Sequence, residues 1–263
     1  MTIEKLYMIP DCNDMDRSEK VAAKWDAAFE YNDFYDTKLL DDSKALKERI
    51  SLYEPHSKKR LGDNLHGAFY DICLNSFDDR IRLISEERVN SSMEIADRLN
   101  CEKVIFHTNF IPGFIPAFYV KRWVELNAAY YRKICADYRD ITVCVENMFD
   151  FTPDMLLLLA QEMADVKNFG VCFDVAHINV HAKKSEEWIR PLAKYIRHLH
   201  INDNDGVADL HLPVGEGTID WKDFFFVADK YDISAGLLIE VRSLDDFERS
   251  MRYLLDRGLI SER

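Results

Sequence analysis

The chain has 263 residues, a formal charge of −13, and 48% hydrophobic and 31% charged residues. That length suits one large domain with a sizeable core, and the acidic excess argues against a polyanion partner, because duplex binders place Lys and Arg on phosphates. No apolar stretch approaches the roughly 20 residues that span a bilayer; the longest, MLLLLA at 155–160, is followed at once by Gln161 and Glu162.

In chain order, KLYMI (5–9) reads as a first strand with a helical stretch over 17–27, and AFEYN (28–32) as a second strand with a helix over 42–54. NLHGAF opens the third unit, followed by a helix near 79–98 whose apolar positions Ile81, Ile84, Val89, Met93, Ala96 and Leu99 recur every three or four residues. KVIFH with a helix over 117–137 makes the fourth unit, and ITVCVEN with 153–164 the fifth. FGVCFD opens the sixth, HLHIND the seventh, and AGLLIEV the eighth, closed by a helix over 244–256. Short runs rich in Val, Ile, Leu and Phe between helical segments are buried parallel strands. Eight such units predict a single α/β domain over residues 1–263, a (β/α)8 TIM barrel. An open doubly wound sheet is the alternative, but it would not bring the ends of strands three and eight together. No repeat, linker or low-complexity tract interrupts the pattern.

The apolar runs keep ending in metal-ligand residues. DNLH stops at His66, KVIFH at His107, VCVE at Glu146, GVCFD at Asp174, RHLH at His200 and GLLIE at Glu240. In a parallel barrel all strand C-termini meet at one mouth, where chemistry sits. His177 follows Asp174 in DVAH, and Asp209 and His211 form a DLH pair after strand seven. Imidazole and carboxylate together suit Zn, Mn or Fe(II), whereas Mg or Ca favour all-oxygen shells. A lone strand-end His is also an ordinary hydrogen-bonding residue, and a lone Asp an ordinary helix cap, Asp174 and Asp203 in particular. Glu146 and Glu240 are harder to explain so, because a buried charge costs several kcal/mol unless paired or coordinated. The other histidines, His56, His181 and His198, are assigned to surface or strand positions. Five of the six cysteines lie in or beside apolar runs and none forms a CxxC pair, the usage of buried thiols in a reducing compartment. With an acidic rather than basic N-terminal start, this predicts a cytoplasmic protein.

The segments HGAFYDI (66–72), VIFH (104–107), VENM (145–148), FDVAH (173–177), HLHINDNDG (198–206), DLHLPVGEG (209–217) and IEV (239–241) resemble the xylose-isomerase-like and endonuclease-IV-like TIM barrels over nearly the whole chain. The resemblance implies a metal-dependent sugar isomerase or epimerase, or else an abasic-site endonuclease. In endonuclease IV, three zincs are held by His, His and a bridging Glu, by that Glu with Asp, His and Glu, and by His, Asp and His. The matching positions are His66, His107 and Glu146, then Asp174, His200 and Glu240, then His177, Asp209 and His211. The implied cofactor is a divalent metal, Zn first, with Mn or Fe also compatible, in one to three ions. One divalent ion among Glu146, Asp174 and Glu240 leaves the site negative and suited to a neutral sugar. Three ions with all four carboxylates leave it positive and suited to a phosphate or carboxylate. Arg242, just past Glu240, either adds a positive contact or faces outward.

As an isomerase or epimerase, the protein would stabilise an enediolate by Lewis acidity, with Glu146 and Glu240 taking and returning the proton as the equivalent pair in related ketose epimerases does. A ketohexose epimerase is disfavoured, because those enzymes resemble HTGE at strand seven with an Arg six residues past the ligand His, where this chain has Gly206. As a phosphodiesterase, Glu146 would bridge two ions, but the acidic chain lacks a basic DNA-facing surface. A non-catalytic metal-binding barrel is the third reading. The expected partner is a small carbohydrate or phosphorylated substrate, with no nucleic acid and no membrane, and a homodimer if aromatic residues are exposed on the outer helices. Tyr70, Phe110, Phe114 and Trp221 are candidates to line the substrate site.

Overall fold

The computed structural model describes residues 1–59, 62–148, 150–181 and 183–261. Its strands are β1 (Thr2–Met8), β2 (Ala27–Tyr31), β3 (Asn64–His66), β4 (Lys103–His107), β5 (Thr142–Glu146), β6 (Phe169–Asp174), β7 (Ile196–Ile201) and β8 (Ser234–Ile239). They are parallel and follow one another in chain order around a closed barrel, as the alternating pattern predicts. The helices are α1 (Met15–Trp25), α2 (Thr37–Asp41), α3 (Ser43–Ser57), α4 (Asp79–Arg98), α5 (Ala117–Asp137), α6 (Asp154–Glu162), α7 (Val175–Asn179), α8 (Ser185–Leu192), α9 (Trp221–Lys230) and α10 (Leu244–Asp256). The sequence pattern does not predict α2, α7, α8 and α9, which have five, five, eight and ten residues, too few to show a helical period in an 11-residue window. Among the described residues no helix is long and apolar enough to cross a membrane.

Residue choice explains where the elements start. Asp14, Asp78, Asp220 and Ser243 cap α1, α4, α9 and α10 by accepting backbone N–H groups of the first turn, which satisfies donors that a helix start leaves orphaned. Helix α4 corrects one expectation. Val89, Met93, Ala96 and Leu99 are buried as its stripe predicts, but Ile81 and Ile84 are 47% and 58% exposed. At 20 residues the helix runs about 30 Å, whereas the five-residue strand β4 covers only about 17 Å. The first turns of α4 therefore overhang the strand.

The chain forms two compact units. The first comprises Met1–Glu30, Asn147–Pro153 and everything from Val171 onward. In it β1 pairs with β2 and β8, and β7 with β6 and β8. Tyr7, Ala28 and Leu238 pack together in its core, and Trp188 packs on Phe173 at 6.3 Å between ring centres. The second unit comprises Tyr31–Glu146 and Asp154–Gly170. There β4 pairs with β3 and β5, and Tyr131 lies between Phe106 and Phe169, each at 6.0 Å. The Asn168 amide donates to the carbonyls of Cys135, Tyr138 and Ile141, each at 3.0 Å, and so closes the turn after α5. Asn168 satisfies three carbonyls that the end of α5 and its following turn would otherwise leave open.

Candidate metal centre

In the second unit the strand ends bring together His66, His107 and Glu146, all buried. The β4–β5 register places His107 opposite Glu146. The two imidazole Nε2 atoms lie 3.2 Å apart and 3.7 and 3.5 Å from Glu146 Oε2. His66 Nδ1 lies 3.1 Å from the Gly67 carbonyl, a contact that needs the proton on Nδ1 and leaves the Nε2 lone pair facing the cluster. Phe69 stacks on the His107 ring at 4.6 Å and meets His66 edge-on at 5.2 Å. Phe69 thus supplies an apolar wall that the sequence reading does not single out, although it lies inside the HGAFYDI segment.

In the first unit Asp174, His200 and Glu240 offer ligand atoms within 4.8 Å of one another, and all three are buried. Asp174 and His200 face each other across the β6–β7 ladder, and His200 Nδ1 lies 3.2 Å from Glu240 Oε2. Glu240 stands one residue beyond β8, where its N–H donates to the Ile201 carbonyl at 2.9 Å. Asp174 is both a helix cap and a member of this cluster. One carboxylate oxygen accepts the His177 N–H at 2.8 Å while the other faces Asn202 at 3.4 Å.

The third predicted set, His177, Asp209 and His211, also comes together in the first unit. His177 Nε2 and His211 Nε2 lie 3.5 and 3.0 Å from the same oxygen, Asp209 Oδ2. Their Nδ1 atoms lie 2.7 Å from the Asn147 carbonyl and 3.1 Å from the Glu240 carbonyl. Backbone carbonyls again hold the far side of each ring and turn Nε2 inward, the arrangement that orients histidine ligands in metal sites. Burial pushes the Asp209 carboxyl up, but the hydrogen bonds and charges of the two imidazoles reverse that and hold it well below the usual carboxylate range. Burial pushes the His211 imidazole down, yet Glu240 and Asp209 carry it up to about 9. His211 also sits at φ 50°, in the left-handed region, which costs a non-glycine residue about 1–2 kcal/mol. That strain is held by Leu212, whose N–H donates to the Asp203 carbonyl at 2.8 Å.

Two residues outside the predicted set, Asn147 and Asp203, support these clusters. Asn147 exchanges two hydrogen bonds with the Asp174 backbone, at 2.8 and 2.9 Å, while its own carbonyl takes His177. Asp203, read as a helix cap, is not one. It accepts from the N–H groups of Asn204, Gly215 and Ile219 and from the Trp221 indole, at 3.0, 2.9, 3.2 and 2.8 Å. It thereby folds the long loop carrying Asp209 and His211, and a Cβ at Gly217 would stand 2.2 Å from its Oδ1. Trp221, considered as a lining residue, is instead buried against this loop, whereas Tyr70 and Phe114 are 57% and 42% exposed. His198, assigned to a surface or strand position, is a fully buried strand residue, and its ring contacts Glu30. Arg242 is exposed.

The donor set fits a divalent metal. Imidazole nitrogens and carboxylate oxygens converge in buried positions, most of the rings are oriented from behind by carbonyls, and neutral His with carboxylate suits Zn, Mn or Fe(II).

The model of the xylose isomerase-like TIM barrels matches residues 23–257, and the chain belongs to that family. The uncharacterized protein MJ1311 of Methanocaldococcus jannaschii is 29% identical over 203 residues, 72% of this chain and 68% of that one. A D-tagatose 3-epimerase-like protein of known structure is 25% identical, with a TM-score of 0.74 over 95% of this chain and 96% of that one. The TTHB071 protein from Thermus thermophilus, soaked with ZnCl2, shares the fold at 22% identity, with a TM-score of 0.75 over 100% and 99% of the two chains.

Proposed function

We propose that this protein is a metal-dependent isomerase or epimerase that moves a proton on a small sugar, sugar phosphate or related polyol. The observation that carries the reading is the gathering of His66, His107 and Glu146 in one unit and of Asp174, His200 and Glu240 in the other, each a buried set of imidazoles and carboxylates. The likeness to a D-tagatose 3-epimerase-like protein supports the substrate class. Asp174, His200 and Glu240 would hold one ion, and His66, His107 and Glu146 would hold another. When bound, the metal supplies Lewis acidity that polarises a substrate carbonyl and acidifies the neighbouring C–H.

The chain's own groups then carry the reaction. One of Glu146 and Glu240, as the carboxylate, takes the proton from the carbon beside the carbonyl, and the other, as the carboxylic acid, gives a proton to the substrate. The Phe69 ring stacks on His107 at 4.6 Å and lines that side of the cluster with apolar surface. A cytoplasmic location belongs to the same reading and rests on the cysteine usage, four of the six being buried in the core.

A second reading has one specific observation in its favour. The complete His177–Asp209–His211 set would allow a third ion, and with it a phosphate-bearing substrate or a phosphodiester. The formal charge of −13 weighs against a nucleic-acid substrate. The experiment that separates the readings gives metal-loaded protein a panel of ketoses and ketose phosphates in deuterated water and, in parallel, an abasic-site duplex at low salt. Deuterium at the carbon beside the carbonyl without strand cleavage is expected. Cleavage lost on mutating His66 or Asp209 would replace the isomerase with the nuclease.

A further inference from the structure

Glu30 is a charged residue buried inside a strand, where the ligand clusters give it no place. It lies in β2 between Phe29 and Tyr31, and it is fully buried, as are His198 and His200. One carboxylate oxygen lies 2.8 Å from His198 Nε2, and the other lies 3.0 Å from His200 Nε2. The opposite edge of the His200 ring, Nδ1, faces Glu240 Oε2 at 3.2 Å. His200 is therefore held between a carboxylate behind it and a proposed ligand carboxylate in front. Close packing fixes the His198 ring as well. Tyr7 meets it edge-on at 5.1 Å, and opposite it in the β7–β8 ladder stands Gly236, where a Cβ would come within 2.7 Å of His198 Nδ1.

We propose that Glu30 is a positioning residue that fixes the His200 tautomer, holding the proton on Nε2 so that the Nδ1 lone pair faces the Asp174–His200–Glu240 cluster. The proposal rests on the metal centre proposed above. A carboxylate only accepts hydrogen bonds, so both imidazoles facing Glu30 must present N–H to it. His198 completes the second oxygen of Glu30 and so keeps the buried carboxylate satisfied. In this arrangement Glu30 also raises the donor strength of His200, as outer carboxylates do for histidine ligands. The alternative is that Glu30, His198 and His200 themselves hold an ion, since their ligand atoms also lie within 4.8 Å of one another. The 2.8 Å hydrogen bond between His198 and Glu30 favours a proton between that pair, because two ligands of one Zn ion about 2 Å from each normally stand farther apart.

The test uses two variants of the full chain, the isosteric Glu30→Gln and the hydrogen-bonding His198→Gln. A Gln at 30 brings an NH2 group that must face one of the imidazoles and forces that ring to offer a lone pair from Nε2. An amide, unlike a carboxylate, no longer requires an N–H from both rings, so His200 loses its fixed tautomer. A Gln at 198 still donates to Glu30 and leaves the Glu30–His200 contact in place. Zn affinity is measured by chelator competition, the fold by thermal unfolding of the metal-free protein, and the His200 Nε2 proton by nitrogen-edited NMR with and without Zn. The expected result is a loss of about 10–100-fold in Zn affinity for Glu30→Gln, a change within about threefold for His198→Gln, and a His200 Nε2–H signal in the wild type that Glu30→Gln abolishes. Wild-type affinity in a folded Glu30→Gln protein would overturn the proposal. So would an equal loss in His198→Gln together with one ion fewer bound, which would make the trio a metal site. If Glu30→Gln fails to fold, Glu30→Asp takes its place. The shorter carboxylate cannot reach both rings, so the proposal expects the His200 Nε2–H signal to weaken and Zn affinity to fall. If the wild type binds no Zn, the metal centre fails as a reading, while the Nε2 proton in the metal-free protein still decides the role of Glu30.

Discussion

His107 and Glu146 face each other across the β4–β5 ladder, with His107 Nε2 3.5 Å from Glu146 Oε2. Strand register alone makes this pair. Side chains alternate between the two faces of a strand, so a slip of one residue would turn either group to the other face and dissolve the cluster. The Asp174–His200 pair depends on the β6–β7 ladder in the same way. Strand pairing therefore does much of the pre-organisation that a metal site needs.

The first prediction concerns the ligands. Glu146→Ala and Glu240→Ala each remove a buried carboxylate from a cluster of imidazoles, so metal affinity should fall by orders of magnitude while the barrel still folds. Elemental analysis after dialysis reads this directly. Full metal content in both variants would show that the ion lies elsewhere.

Asp203 should matter for stability rather than for metal. It accepts four hydrogen bonds from one loop, and Asp203→Ala should cost about 3 kcal/mol, because it strips buried donors of a charged acceptor. Urea unfolding of the metal-free variant measures the cost. Gly217→Ala should destabilise for a related reason, since its Cβ would stand 2.2 Å from Asp203 Oδ1.

Asn147→Ala removes the two-bond clamp on the Asp174 backbone. Metal affinity should fall by about 10–100-fold with little change in secondary structure. Chelator competition against the wild type checks it, and an unchanged affinity would mean that Asp174 is positioned by its strand alone.

Proton linkage gives a fourth expectation. In the metal-free protein His211 is raised to about 9, so at neutral pH a metal joining His177, Asp209 and His211 must displace a proton. Affinity at that set should rise with pH up to about 9 and then level off. In the absence of metal the sign is opposite. A raised histidine stabilises the fold below its unfolded value of about 6.5, and that contribution is lost as pH rises through 9. A pH series of binding and of thermal unfolding tests both signs, and flat profiles between pH 7 and 9 would contradict them.

Which residues are legible in the sequence follows from where each one lies. The strand-end histidines and carboxylates stand out because each interrupts an apolar run, so the gathered residues His66, His107, Glu146, Asp174, His200 and Glu240 are visible without coordinates. Glu30 cannot, because Phe29 and Tyr31 flank it inside β2 and a mid-strand carboxylate has no periodic signature. His198 escapes for a similar reason, two residues before a more conspicuous histidine. Asp203 misleads because an Asp after a strand usually caps a helix, whereas here a long loop doubles back onto it. The overhanging start of α4 is likewise invisible to periodicity, which sees the stripe formed by Ile81 and Ile84 but not where the strand beneath it ends.

The central claim is proton transfer by Glu146 and Glu240 on a small hydroxy-carbonyl substrate. Its most direct test is mass-spectrometric detection of solvent deuterium in ketoses and ketose phosphates recovered from the metal-loaded protein, run beside Glu146→Gln and Glu240→Gln at matched metal content. Deuterium is expected at the carbon beside the carbonyl for at least one substrate, with exchange reduced about 100-fold or more in each variant. Absence of exchange across the panel by fully loaded wild-type protein, or undiminished exchange in both variants, would contradict it.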